Sequence, residues 1–417
     1  MRPSLPSLRA FLRSSAAPLA ALVPDFLCST AVLPLAAELG VPGYVFVPSS
    51  LASMALLRRV VELHADAAAG ELRDLPSPLG LPGGLRLRRE DFPDACRDCR
   101  EPGYSRVLEW GRTISRADGW LVNTFRELEP DAVEEFEKAA EQGSFPPAFA
   151  VGPSVRPKSV PDGADASPPC RYIEWLDRQP TGSVVYASFG SGEALSAEQT
   201  AELAAGLEAS GHRFLWAVRL PSLASVGDND DDPLATWLPE GFVERTRGRG
   251  LAVASWAPQV RVLAHPATAA FVSHCGWNSA LESVASGGVP MVAWPLHAEQ
   301  RLNAAMLEGP LGVALRPVAR EEGAAVVKEL MEGEKGRAAR RRAGDLQQAA
   351  ARAWAPEGSS RRALGEVAAR WKAALRARWF SSRIPTGWIL NNRMNFVIWS
   401  KEYENKLGFP CFGLVPY

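Results

Sequence analysis

The sequence predicts an α/β protein built on mostly parallel, doubly wound sheets in two units. Short apolar runs of strand length alternate with stretches of helical periodicity up to about residue 376. The chain has 417 residues, enough for two such units. A stretch rich in Pro, Ser, Asp and Gly, Ser154–Pro169, parts an earlier set of runs from a later one.

The elements follow in order. Leu5, Leu8, Phe11 and Leu12 fall at helical spacing. The segment up to Leu27 is also rich in Arg and Ser and has no acid before Asp25, which a targeting peptide would share. A strand is expected at Ala21–Asp25, a helix at Leu27–Gly40, a strand at Val41–Val47 and a helix at Leu51–His64. Leu75–Phe92, with its Pro, Gly and Leu, reads as loop. A helix Tyr104–Ala117, a strand Gly119–Phe125, a helix Pro130–Gln142 and a strand Ala148–Pro153 complete the first unit. The second begins with a short helix at Trp175–Asp177 and a strand Ser183–Ser188 running into a glycine turn, Phe189–Gly192. A helix Ala197–Ser210 and a strand Arg213–Arg219 come next, and the acidic Gly227–Asp232 reads as a solvated loop. A strand near Gly312–Leu315 and basic helices from Val326 to Arg376 close the unit. From about Trp379 the composition shifts to Asn, Ile, Phe, Lys and Tyr. This tail is expected to be foreign to the fold, as altered splicing or gene prediction would produce.

Bulk properties exclude several classes. A net charge of −1 gives no polycationic surface for nucleic acid or an anionic membrane. No uncharged apolar run is long enough for a membrane span. Six scattered cysteines are too few for a disulfide scaffold and fit a reducing compartment. Cys96-x-x-Cys99 has no second half-site to complete a metal centre, so both are expected to be exposed loop thiols. No strand–GxGxxG–helix with an acid about 20 residues on is present, which removes a nicotinamide-dependent oxidoreductase.

The chemistry concentrates in Trp256–Gln300, which holds three of the five histidines and three of the 13 tryptophans. A buried strand, Ala269–Ser273, runs into His274-Cys275-Gly276-Trp277-Asn278-Ser279 and then a helix, Ala280–Ser286. Free backbone N–H groups at such a helix start suit a phosphate. A second strand, Val289–Trp294, ends in Pro295-Leu296-His297-Ala298-Glu299-Gln300, an acid and an amide suited to sugar hydroxyls. In open α/β sheets, ligands bind at the carboxyl ends of strands.

This stretch resembles the signature box of the plant family-1 UDP-dependent glycosyltransferases. The resemblance covers about Pro3–Arg376 and implies two Rossmann-like domains facing across a cleft, the GT-B type. It implies inverting sugar transfer from a UDP-sugar to an acceptor hydroxyl, with no metal or other cofactor. Trp256 would stack on uracil, Ala257 would bond its edge through the backbone, and Gln259 and Glu282 would take the ribose. Ser191, His274, the backbone at Trp277, Asn278 and Ser279 would hold the diphosphate, and Trp294, Glu299 and Gln300 the sugar, with Gln300 resembling glucose users. Val41–Tyr44, Leu121–Phe125 and Ala298–Gln300 are most similar to enzymes that glucosylate hydroquinone and other small phenols.

On the acceptor side, Asp25 matches the aspartate that orients the catalytic histidine, and Ser49 and Ser50 match hydroxyl residues near the donor sugar. The Gly-His motif that carries that histidine has no match, so the N-terminal domain is expected to be incomplete. A non-catalytic UDP-sugar-binding fragment is therefore the alternative function. His64 lies on a helix at a position the family does not use. Two departures stand in the box. Ala280 replaces a common Thr, and Gly287-Gly288 is one residue longer than usual, an excess that a loop between helix and strand would absorb. The expected division is 1–153 acceptor domain, 154–172 linker, 173–376 UDP-sugar domain and 377–417 tail. The resemblance further implies a cytoplasmic monomer of plant secondary metabolism, binding no nucleic acid.

Overall fold

The computed structural model describes residues 5–14, 18–65, 77–155, 171–190, 192, 194–220, 234, 237–254, 257–318, 322–381, 395–399 and 413–416. Nearly all of the expected linker, the acidic loop, and two of the expected site residues, Ser191 and Trp256, lie outside the described residues.

The first sheet uses β1 (Leu22–Pro24), β2 (Tyr44–Val47), β5 (Gly119–Val122) and β6 (Ala148–Ala150). Between β2 and β5, β3 (Leu79–Leu81) and β4 (Leu85–Leu87) form a small antiparallel hairpin inside the stretch read as loop. Gly83 and Gly84 make that turn with φ of 77° and 71°, a conformation that favours glycine. β2, β5 and β6 pair in parallel, and β1 joins β2 through the bridges Leu22↔Gly43 and Asp25↔Phe46. Val45 and Val47 are fully buried, as expected of strands covered on both faces. The helices Leu51–Ala65, Tyr104–Ile114 and Pro130–Glu141 cover this sheet through Leu56, Val60, Leu108, Val133 and Phe136. The expected N-terminal helix spans Leu5–Ser14 and buries Leu8 and Leu12, whereas Phe11 faces solvent.

The second sheet has six parallel strands in the order β12-β11-β10-β7-β8-β9. These are β7 (Val184–Ser188), β8 (Arg213–Ala217), β9 (Gly250–Val253), β10 (Thr268–Ser273), β11 (Met291–Ala293) and β12 (Ala314–Leu315). β9 lacks a strong apolar run and was not foreseen. It pairs with β8 because Gly250 admits the Phe214 ring where any side chain would collide.

The last helix, Ser359–Ser381, returns to the first sheet. Val367 and Trp371 are buried against Tyr44, Leu121 and Phe149, and the Tyr44 and Trp371 rings meet edge-on at 5.3 Å. Ser360 Oγ donates to Gly152 O at 2.5 Å and Trp354 Nε1 to Pro153 O at 3.1 Å. In the tail, β13 (Asn395–Trp399) runs parallel to β1 with Leu22↔Val397 in register, and β14 (Gly413–Pro416) is antiparallel to β13.

Candidate functional site

The carboxyl ends of β7, β10 and β11 carry the candidate site. After β10 the chain turns sharply through Cys275, at φ 63°, and after β11 through Ala298, at φ 53°. Among the described residues these are the non-glycine positions in the left-handed region, and such strain concentrates where a fixed turn serves a ligand. Ser273 Oγ accepts from Cys275 N at 3.1 Å and Asn303 Nδ2 donates to Cys275 O at 3.0 Å, which hold the first turn.

The helix Trp277–Glu282 starts at Gly276, which gives it no side-chain cap. Its first backbone bond is Ala280 N to Gly276 O, so the preceding N–H groups are left for a bound group. His274 lies between two glycines. A Cβ on Gly190 would sit 2.8 Å from the imidazole, and one on Gly276 would overlap its Nε2. Burial first, then the charge on His297, pushes the His274 ring down to about 4, so it is neutral at physiological pH. Its Nδ1 is buried with no partner among the described residues.

One turn further in, Gln259 Nε2 donates to Glu282 Oε2 at 2.7 Å and to Ser279 Oγ at 2.9 Å. Tyr186 Oη reaches Gln259 Oε1 at 3.5 Å from β7. Ala257 is buried two residues before Gln259. Ala280, which replaces a common Thr of the box, is itself buried in the core.

At the end of β11, Trp294 is buried and its indole N–H has no partner among the described residues. Glu299 is half-buried at the start of the helix Gln300–Glu308. Gln300 is buried, and its Oε1 accepts from Leu296 N at 2.9 Å and His297 N at 3.1 Å. Its carbonyl therefore fixes the turn, and its NH2, which meets His297 Nε2 at 3.4 Å, has its second N–H to offer a ligand.

On the acceptor side, Asp25 is buried after β1 and accepts from Leu27 N at 3.0 Å. Ser49 Oγ is buried with no partner among the described residues, and Ser50 Oγ caps the following helix by accepting from Ser53 N at 3.1 Å. Glu129, which no motif of the sequence marks, is buried and accepts from Leu51 N at 3.1 Å and Ala52 N at 2.9 Å, holding the Ser49–Ser50 turn to the loop after β5. Burial pushes its carboxyl above the usual range. His64 is exposed, with its ring 5.9 Å from that of Tyr104. Cys96 is buried and its thiol pushed up to about 12, contrary to the expectation of two exposed loop thiols; Cys99 is exposed.

Contacts across the two sheets were also not foreseen. Asn123, after β5, meets Trp277 and Asn278 of the box. Arg316 pairs with buried Asp91 at 2.7 Å and Arg301 with Asp94 at 2.8 Å. A pattern read along the chain carries no signal for partners this far apart.

Residues 164–336 match the family described as UDP-glucoronosyl and UDP-glucosyl transferase. The hydroquinone glucosyltransferase of Rauvolfia serpentina is 44% identical over 88% of this chain and 80% of its own length. UDP-glycosyltransferase 72B1 of Arabidopsis thaliana is 43% identical over 85% of the chain and 74% of its own. The structure of Phytolacca americana UGT2 complexed with UDP-2fluoro-glucose and pterostilbene superimposes with a TM-score of 0.77 at 43% identity, covering 88% of this chain and 80% of that one. The parallel sheets, the turns at their carboxyl ends and these relatives together place the chain in the family-1 UDP-glycosyltransferases, transferases of the GT-B fold that take a UDP-sugar as co-substrate.

Proposed function

We propose that the chain transfers glucose from UDP-glucose, with inversion, to the hydroxyl of a small phenol of the hydroquinone kind. The observation that carries the donor half is the cluster of Gln259, Ser279 and Glu282 one turn below the free helix start and His274. A carboxylate and an amide already within hydrogen-bond distance can close on the two ribose hydroxyls while the diphosphate lies over the N–H groups of Trp277, Asn278 and Ser279. Neutral His274 supplies a donor there without burying a charge of its own. These donors stabilise the negative charge that grows on UDP as the anomeric bond breaks. Ser191, Trp256 and Ala257 complete the nucleotide site in this reading, and Trp294, Glu299 and Gln300 the sugar site. Asp25 is the acid on the acceptor side, where proton removal from the phenol is needed. The phenolic acceptor rests on the hydroquinone glucosyltransferase relative and on Val41–Tyr44 and Leu121–Phe125.

The proposed division keeps 1–153 as acceptor unit, 154–172 as linker, 173–376 as donor unit and 377–417 as tail, with the helix Ser359–Ser381 lying against the acceptor sheet. We further propose a cytoplasmic monomer of plant secondary metabolism. Its relatives are plant enzymes, and among the described residues no helix is long and apolar enough to cross a membrane.

A second reading, UDP-sugar binding without turnover, is favoured by the histidines. His64 packs on Tyr104, His212 and His265 face Glu332 and Asp177, and His274 and His297 lie in the donor half. Incubation of the purified chain with labelled UDP-glucose and hydroquinone separates the two. Glucoside formed at an enzymatic rate supports transfer; UDP bound with no product supports the second reading. In either case Glu282→Ala is expected to weaken UDP binding about tenfold or more in calorimetry, the loss of hydrogen bonds to a charged group.

A further inference from the structure

We infer that Asn123, a residue of the acceptor-side sheet, sets which end of the Asn278 amide faces the diphosphate. The inference rests on the donor-site reading above and adds a positioning residue from the opposite unit. Asn123 follows β5 and is 3% exposed. Its Oδ1 accepts from Ser154 N at 2.7 Å, a backbone donor whose polarity cannot be reversed. That bond obliges the other end of the amide, Nδ2, to be the group that meets Asn278, which it does at 3.1 Å from Asn278 Oδ1. An N–H donor facing Asn278 obliges Asn278 to present its oxygen there, so its own NH2 points away. Asn278 is exposed on the first turn of the helix Trp277–Glu282, where the backbone N–H groups open. The direction is therefore relayed from one backbone N–H through two amides, and it ends in a donor at the anion site. With the opposite orientation Asn278 would offer a carbonyl oxygen to a phosphate, and a contact that attracts would become one that repels.

A second bond reinforces the placement. Trp277 Nε1 donates to the Asn123 carbonyl at 2.7 Å, so the first two residues of the helix are tied to the same asparagine. Gly152 is part of this arrangement. A Cβ there would lie 2.6 Å from Asn123 Oδ1, so only glycine lets the chain pass close enough for Ser154 to donate. Ser154 opens the segment expected to link the two units, so the amide relay joins that link to the diphosphate site.

Affinity for UDP and for uridine, measured by titration calorimetry on the full chain, separates this role from a purely structural one. Uridine lacks the phosphates, so it reports the base and ribose contacts alone. Asn123→Asp keeps the acceptor for Ser154 N–H and presents only oxygens to Asn278, which must then turn its NH2 inward. It is expected to weaken UDP by roughly tenfold to a hundredfold, the range for a hydrogen bond to a charged group, and to leave uridine within about twofold. Asn123→Ala, which frees Asn278 to adopt either orientation, is expected to fall between the wild type and Asn123→Asp. The added charge of Asp is controlled in an Asn278→Ser background, where there is no amide to turn. There Asn123→Asp is expected to change UDP affinity by no more than about twofold, the non-additivity of coupled residues. Equal loss of UDP and uridine in both Asn123 variants would overturn the inference, since that is what a damaged hinge would give. So would a full effect of Asn123→Asp in the Asn278→Ser background, which would show simple charge repulsion. Failure of the unaltered chain to bind UDP at all would instead overturn the donor-site reading itself.

Discussion

A histidine kept neutral by burial makes stability depend on pH, and His274 is such a residue. Its ring is pushed down to about 4, from an ordinary value near 6.5, by burial and then by the charge of His297. The native state thus binds fewer protons at this site than the unfolded chain between those values. Stability is fully present above pH 6.5, falls as the pH drops towards 4, and levels off below it. Each pH unit in that window corresponds to about 1.4 kcal/mol. His274→Gln removes the titration, so between pH 6.5 and pH 5 the wild type is expected to lose about 2 kcal/mol more than the variant in urea unfolding. Parallel losses in the two proteins would show that the His274 ring takes up its proton in the native state. The sequence placed His274 at a strand end beside a helix start, and the structure keeps it there. What no pattern revealed was the pair of glycines, Gly190 and Gly276, that bring two separate turns against one imidazole. Glu129 was equally hidden, because a glutamate before a helix reads as a solvated first-turn acid until its carboxylate is seen on the N–H groups of Leu51 and Ala52.

At the scale of elements, most strand–helix pairs were legible because apolar periodicity and glycine stops act locally. The helix Ala197–Ser210 was read to the residue, with Ser196 and Gln199 forming its capping box and Gly211 its left-handed end. The box helix was read less well. Its extra glycine was expected in a loop before β11. The helix Trp277–Glu282 continues into a π turn, Ser283–Gly287, and Gly288 caps it before β11, so one of the paired glycines lies within the helix and the other between helix and strand. Ser283 Oγ donates to Val289 O at 2.8 Å, and Gln347 Nε2 to Ser286 O at 3.0 Å, so the turn is held from both sides. β11 then pairs with β10 without a shift, from Phe271↔Met291 to Ser273↔Ala293. The two glycines have different tasks. Gly287 has no room for a Cβ, which would run into the carbonyl oxygen of Leu263, a backbone atom that cannot rotate away. Gly288 is at φ 60° but meets nothing closer than Gln347 Oε1 at 3.1 Å. Gly287→Ala is therefore expected to cost about 3 kcal/mol by overpacking, and Gly288→Ala about 1 kcal/mol by left-handed strain. Thermal melts showing the reverse order would mean that the chain at Leu263 yields to a side chain at position 287.

For the whole molecule, the question is what holds the donor and acceptor halves in one geometry. Asn123 and Asn278 meet across 155 positions of sequence, and Arg316 and Asp91 across 225. Nothing local predicts such pairs, because each partner alone reads as an ordinary polar residue at the end of an element. Their burial decides their weight. Arg316 and Asp91 expose 13% and 2% of their side chains, and Asp91 also accepts from Arg88 Nε at 3.1 Å. Arg301 and Asp94, at 27% and 49%, stand half in solvent, where water screens the pair. Removing one member of a buried pair leaves the other charge desolvated, which costs several kcal/mol, whereas an exposed pair contributes less than about 1 kcal/mol. Arg316→Ala is therefore expected to destabilise the protein by about 3 kcal/mol in denaturant unfolding, and Arg301→Ala by about 0.5 kcal/mol. Their functional effects should rank the other way. Arg301 also donates to Leu296 O at 3.1 Å, in the turn that Gln300 braces from within, so its loss loosens the proposed sugar site. Arg301→Ala should raise KM for the UDP-sugar while Arg316→Ala leaves it near the wild-type value at temperatures where both stay folded. Equal destabilisation by the two variants would mean that solvent screens both pairs alike, and that the halves are held by the crossing helix Ser359–Ser381 and its Trp371 contact rather than by charge.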